Sequence, residues 1–258
     1  MSGAVERIPA HARPTAQALV AVLRALLGDD CAVVVHGSIA LGEYMAGRSD
    51  LDVLVFVYPT PHPDALRGLA QALLELSGAP VPIELSVLSV GAAWVHPAPY
   101  WYHYSEAWRG RTVAMLADPT TQWLATGSDP DLTAHAVVAR ACGIVVWGHV
   151  VLPPVAARDA YAAVWYDIAG AVAEVVAQPV YVLLNLCRTI LWLEHGQVLG
   201  KTQGGQALLP ELTGETAAVV AAALESRRTG AAMDVPAAQL QAVAVALLAR
   251  VERAAARL

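Results

Sequence analysis

Two short segments bring together residue types that handle phosphate and metal. His36-Gly37-Ser38 closes one apolar run, and Ser49-Asp50-Leu51-Asp52 opens the next. Asp50 and Asp52 stand two apart at the head of LDVLVFVY, which reads as a strand. Side chains alternate across a strand, so both carboxylates project to one side while Leu51 and Val53 face a core. Two carboxylates on one sheet edge can bridge two magnesium ions about 3.5–4 Å apart, each also gripping nucleotide phosphates. Gly37 leaves room for a phosphate to approach the backbone. Ser38, at the head of a short helix, offers free N–H groups to an anion. A third acid, Glu84, alternates with apolar residues in Ile83-Glu84-Leu85-Ser86-Val87; it can bind metal or take the proton from an attacking hydroxyl. An isolated Asp-x-Asp usually marks a strand entrance, and a serine at Ser38's place commonly caps a helix. The ordered set of Gly-Ser, Ser-Asp-x-Asp and a later strand acid is what points to chemistry.

These residues need elements to position them. The spacing predicts a helix over Thr15–Leu27, ended by Gly28, and a buried strand over Cys31–His36. SIALGEYM reads as a short helix, Leu51–Tyr58 as a strand, PTPHP as a loop, Asp64–Ser77 as a helix and Val81–Val90 as a third strand. Alternating strands and helices over the first ninety residues imply an α/β or α+β sheet domain. Trp94, Tyr100, Trp101, Tyr102, Tyr104 and Trp108 then crowd one connecting segment, which either lines a site or packs into a core. From about Asp118 the pattern is helical, with Ala-rich segments near 119–126, 131–147, 154–176, 180–195, 203–209, 214–228 and 236–257, and predicts a C-terminal bundle. The expected division is a sheet domain over 1–150, taking in connecting helices from about 118, and a helical domain over 151–258.

Composition narrows the partners. Of 258 residues 57% are hydrophobic, enough for a sizeable core, yet no uncharged apolar run reaches the length of a membrane span. The start, MSGAVERIPAHARP, lacks the pattern of a signal peptide, so a cytoplasmic protein is expected. The net charge of −6 argues against nucleic acid and suits a cationic small molecule. Lys201 is the only lysine beside fifteen arginines. Cys31, Cys142 and Cys187 lie far apart without a CxxC and read as buried free thiols.

The stretch HGSIALGEYMAGRSDLDVLVFV resembles the signature of the polymerase-β-like nucleotidyltransferases. The longer pattern is similar to the streptomycin/spectinomycin adenylyltransferases, through HGS…SDLD, the acid of PIELSVL, YHYSEAW, and NLCRTILWLEHGQVLGKTQGGQALL. The resemblance implies an α+β fold, with a mixed-sheet nucleotidyltransferase domain followed by an all-α bundle. It implies ATP and two magnesium ions, with AMP transferred to an aminocyclitol or aminoglycoside hydroxyl and pyrophosphate released. By the same resemblance Asp50 and Asp52 match metal ligands, and Glu84 a catalytic base that also reaches metal. Gly37, Ser38, Ser49, Arg188 and Lys201 fall at ATP-binding positions, and Trp108, Glu174 and Gln178 at the acceptor site. A lone lysine after Gly200 suits the β- and γ-phosphates, and an arginine inside VLLNLCRTILWL must find an anion or snorkel outward.

The sequence departs from the family in two places. Gln178 replaces an aspartate of the streptomycin-binding members, which favours spectinomycin. No aromatic residue follows Trp192, so an adenine-stacking ring from the last helices is missing. Two alternatives stay open: a superfamily enzyme acting on another small molecule or a protein, and a nucleotide-binding module without catalysis.

Overall fold

The computed structural model describes residues 2–258, and the chain forms two compact units that divide between Asp159 and Ala160. In the first unit the order is α1 (Ser2–Glu6), α2 (Arg13–Leu27), β1 (Ala32–Val35), α3 (Gly37–Ala40), β2 (Leu51–Val57), α4 (Pro63–Leu76), β3 (Ile83–Ser89), β4 (Ala98–Tyr100), β5 (Tyr102–Tyr104), α5 (Arg109–Ala117), β6 (Gly127–Asp129), α6 (Leu132–Cys142) and β7 (Ile144–Trp147). Helix α7 (Ala157–Ile168) spans the division.

Five strands form one mixed sheet in the order β5-β3-β2-β1-β7. Its central pair, β2 and β3, is parallel; every other pairing is antiparallel. Alternation assigns the two faces. Val33, Val35, Val53, Val55, Leu85 and Val87 join the buried stripes of α2 (Leu19, Leu23) and α4 (Leu66, Leu69, Leu73). Those helical positions recur every three or four residues, as burial of one helix face requires. Val34, Leu54, Phe56 and Leu88 face the other way, onto Ala136 and Ala139 of α6. Both faces are covered, which is why these strands are almost continuously apolar. Asp52 and Glu84 are the polar interruptions at the start of β2 and β3, on the face that receives α6.

In the second unit α8 (Ala171–Glu174), α9 (Pro179–His195), α10 (Lys201–Leu208), α11 (Gly214–Thr229) and α12 (Ala237–Ala255) follow. Helix α9 is central: Val182 through Cys187 and Thr189 through Leu191 are all buried. An apolar helix without a polar face must be surrounded, and here α8, α10, α11 and α12 surround it. Gly204 and Gly205 let α10 approach α9 closely; a Cβ at Gly204 would stand 2.6 Å from Arg188 Cβ, and one at Gly205 2.7 Å from Leu184 Cδ2. Arg250 of α12 grips Glu194 of α9 through two hydrogen bonds of 2.9 and 2.6 Å, and Glu211 through a third of 2.5 Å.

A mixed sheet followed by a helical unit is the α+β arrangement expected. Several local expectations need correction. SIALGEYM supplies only the single turn α3, and the chain continues through Gly42 and Gly47, both at positive φ. Residues 119–126 are not helical; the helix lies earlier, in α5, because Pro119 follows its end. The stretch 131–147 divides at Gly143 into α6 and edge strand β7, whose Val33–Trp147 and Val35–Ile144 pairings override the helical look of an apolar run. Within the aromatic segment, Trp94, Tyr102 and Tyr104 are core. Cys31 and Cys187 are buried and Cys142 half-buried, all as free thiols; burial pushes the Cys187 thiol up to about 12. No helix among the described residues is long and apolar enough to cross a membrane.

Candidate active site

The parallel register of β2 and β3 sets Asp52 directly opposite Glu84. Asp50 precedes β2 rather than lying in it. Even so, Asp50, Asp52 and Glu84 each offer a carboxylate oxygen within 4.8 Å of the other two. Burial raises the Asp52 carboxyl to about 7; the Glu84 charge adds to this, and Asp50 contributes less. A half-buried carboxylate crowded by two others keeps its proton up to about neutral pH and would yield it readily to a cation, as a ligand of a divalent metal does.

The Gly37-Ser38 turn is built around the same carboxylate. Gly37 has φ +59°, and a Cβ there would fall inside the Asp52 carboxylate. The Ser38 amide donates to Asp52, which draws that carboxyl's affinity for protons downward. A helix N–H expected to await phosphate therefore serves Asp52 instead. The Ser38 hydroxyl is buried without a partner, so its donor remains for an incoming oxygen. The Ser49 hydroxyl accepts from the Met45 amide at 3.0 Å and braces the loop that leads to Asp50.

Three histidines and an aspartate that sequence reasoning missed back this face. His135 of α6 brings Nδ1 to 4.0 Å from Glu84 Oε1. Its ring lies 5.1 Å from that of His36, which is fully buried and held neutral, its pKa pushed well down by burial and then by His135. His103 of β5 pairs across the sheet with Ser86; its Nδ1 is 3.0 Å from Ser86 Oγ and 3.6 Å from Asp129 Oδ2. Burial lowers the His103 pKa, against the opposing pull of Asp129 and Glu84. Position alone could have flagged His36, which immediately precedes Gly-Ser, and His103, which shares the β3-facing side of a strand whose neighbours are tyrosines. Nothing in the sequence singles out His135.

Trp108 stands at the end of a short 3-10 turn over Glu106–Trp108. Its ring meets His103 at 4.9 Å and Tyr100 at 6.4 Å, both edge-on, and the Arg111 guanidinium lies over it at 4.2 Å. Glu106 is engaged in structure: its carboxylate accepts from Ser77 Oγ, from Tyr104 Oη at 3.0 Å and from Arg109 at 3.4 Å.

In the helical unit Arg188 donates from Nε to Asn185 Oδ1 at 2.5 Å, while the Asn185 amide donates to Asp167. Tyr181 Oη also donates to Asp167, at 2.7 Å, and the Lys201 ammonium lies 4.7 Å from the Tyr181 ring centre. Arg188 and Lys201 thus belong to one polar group built on α7, α9 and the start of α10. Glu174 and Gln178 are exposed; the Glu174 carboxylate folds back over Gly170, and the Gln178 backbone N–H donates to the Glu174 backbone carbonyl at 2.9 Å. A second acidic group, Glu194, His195 and Glu211, could also surround an ion, but Arg250 already bridges its two carboxylates.

Residues 17–88 match the family model of the nucleotidyltransferase domain, and residues 150–250 match that of the aminoglycoside adenylyltransferase C-terminal domain. No curated protein matches the chain. Among solved structures, a spectinomycin adenyltransferase from Enterococcus faecialis, determined with ATP and spectinomycin, is similar. The TM-score is 0.75 at 19% identity, over 93% of this chain and 98% of that one.

Proposed function

From a chain that belongs to the aminoglycoside adenylyltransferases of the nucleotidyltransferase superfamily, we infer an enzyme that adenylylates an aminocyclitol or aminoglycoside hydroxyl with ATP, releasing pyrophosphate. Such a reaction confers resistance to the antibiotic it modifies. The observation that carries this reading is the Asp52–Glu84 register, with Asp50 close by and the Gly37-Ser38 turn wrapped on Asp52.

Asp50, Asp52 and Glu84 would hold magnesium, which would supply positive charge for the transferring and departing phosphates. Glu84 takes the proton of the acceptor hydroxyl at a carboxylate oxygen. The hydroxyl oxygen bonds to the α-phosphorus of ATP, the bond from that phosphorus to the bridging oxygen breaks, and pyrophosphate leaves. The Ser38 hydroxyl, a buried donor without a partner, suits a phosphate oxygen. Ser49 shapes the loop that presents Asp50. Arg188 and Lys201 are assigned to the phosphates on chemistry alone, since a guanidinium and a flexible ammonium both suit phosphate oxygens. Positioning and electrostatics, rather than a covalent intermediate, carry the rate.

The acceptor is cationic, and Glu174 suits it as an acid, with Trp108 an aromatic wall of the acceptor site. Gln178 offers hydrogen bonds but no charge. We favour spectinomycin over the doubly guanidinylated streptomycin for that reason; a missing charge-assisted contact costs about 1.5–3 kcal/mol. The test is adenylylation with labelled ATP and magnesium against spectinomycin and a panel of aminoglycosides, with pyrophosphate measured in parallel. AMP transfer to spectinomycin above streptomycin, with Gln178→Asp narrowing the gap, is the expected result. No transfer to any member removes the antibiotic reading.

A further inference from the structure

Trp108 is tied to the strand that carries Glu84 through two side chains. Glu84 and Ser86 are alternate residues on one face of β3; Ser86 Oγ meets His103 Nδ1 at 3.0 Å; the His103 ring meets Trp108 at 4.9 Å. The Glu84 charge is felt at His103. Trp108 is therefore joined to the face of β3 that carries Glu84, which agrees with the acceptor role proposed for it above.

The ring is not bare. Arg111 follows Trp108 by three residues, and in the first turn of α5 that spacing lays its guanidinium over the indole at 4.2 Å. The neighbouring Arg109 is used up in structure, donating to Tyr104 Oη at 2.9 Å and to the Leu74 carbonyl at 2.6 Å. Arg111 is exposed and, among the described residues, is not salt-bridged to a carboxylate. Its charge is felt at both rings that hold Trp108: at Tyr100 it outweighs Asp129, while at His103 Asp129 and Glu84 outweigh it. An aromatic face attracts a cation because of its quadrupole. A face already covered by the protein's own cation offers no such site, and it repels a second positive group.

The geometry points to Arg111 as a charge-selecting residue at the acceptor end of the site: it occupies the Trp108 face and so discriminates against acceptors that present a guanidinium or ammonium there. This rests on the adenylylation reading above and refines its substrate class to acceptors that are weakly cationic on the side nearest Trp108. Discrimination here is by repulsion, and it acts in addition to any charge lacking at Gln178.

The experiment compares kcat/KM for streptomycin and spectinomycin in wild type, Arg111→Met, Arg111→Lys and the double variant Trp108→Leu/Arg111→Met, with KM for ATP measured alongside. Arg111→Met keeps length and removes charge; it should raise the streptomycin-to-spectinomycin ratio roughly three- to tenfold, through KM for the drug, at constant KM for ATP. Arg111→Lys, still cationic, should stay near the wild-type ratio, and loss of the indole in the double variant should cancel the gain. An unchanged ratio in Arg111→Met, or a gain that persists without Trp108, overturns the assignment while leaving adenylylation intact. Absence of adenylylation of either drug by the wild type removes the functional reading and this inference with it.

Discussion

The carboxylate of Asp52 lies against the Cα of Gly37, with no space between them for even one methyl group. The turn that carries Ser38 and the acid that begins β2 are thus one piece of structure, joined further by the hydrogen bond from His36 N to Asp52 O at 3.0 Å. Gly37→Ala should fail twice, because φ +59° disfavours a Cβ and because that Cβ displaces Asp52. We expect about 1–3 kcal/mol of lost stability in thermal or urea unfolding, and roughly a hundredfold lower turnover, the usual cost of a misplaced reacting group. Turnover close to wild type would show that Asp52 tolerates displacement.

Asp50→Asn and Asp52→Asn should each abolish adenylyl transfer while the circular-dichroism spectrum and cooperative unfolding persist. Removing a ligand from a bridging pair should reduce kcat by about a thousandfold or more. Near-normal turnover in either variant refutes its role as a metal ligand.

Asp52 also links stability to pH. Its folded carboxyl, near 7, stands above the ordinary carboxylate value of about 3.9. Between these values the folded state binds the proton more tightly than the unfolded one. The stability from this group is therefore complete below the ordinary value and is lost as pH rises through 7. Without divalent metal, melting temperature should fall across that window, and Asp52→Asn should flatten the fall. Magnesium should raise the melting temperature more at about pH 8 than at about pH 5, where it competes with the proton. Equal magnesium effects at both values would contradict the crowding of Asp52 by Glu84 and Asp50.

Glu84→Gln retains shape and removes the basic oxygen. Turnover should fall about a hundredfold to ten-thousandfold, with ATP–magnesium binding by calorimetry largely retained. Loss of that binding would make Glu84 chiefly a metal ligand and leave the base to be found elsewhere, with His135, 4.0 Å away, the first group to examine.

Gly204→Ala tests the packing of α10 on α9. The added methyl meets Arg188 Cβ and Cα at 2.6 and 2.8 Å, so the helices must separate. Overpacking of this kind costs about 1–3 kcal/mol, which chemical denaturation should report. A neutral effect would mean that α10 shifts freely.

The order of elements up to β3 could be read from the chain because turns and periodicity agree there. Gly28 ends α2, Gly37 breaks the path from β1, and Pro63 starts α4. Strand β7 could not be read in this way. Ile144–Trp147 is an apolar run next to α6, and only its pairing with β1, more than a hundred residues earlier, makes it a strand. The three carboxylates were legible because Asp52 and Glu84 interrupt alternating strands and Asp50 stands two residues before Asp52, although it precedes β2 rather than lying in it. His135 was not, and although position could have flagged His36 and His103, what makes the three a group is the packing of α6 and β5 on the sheet rather than spacing along the chain. Arg111 was within reach of a local reading, because a residue three after an aromatic in a helical turn lies over it.

Lys201 is the chain's one lysine, and its ammonium sits 4.7 Å above the Tyr181 ring at the head of α10. An amine-reactive acylating reagent therefore has one side-chain target besides the α-amino group, so side-chain labelling is confined to a single site. A fluorophore placed there reports from the helical unit alone, and the rate of its attachment with and without nucleotide measures how accessible that one amine is.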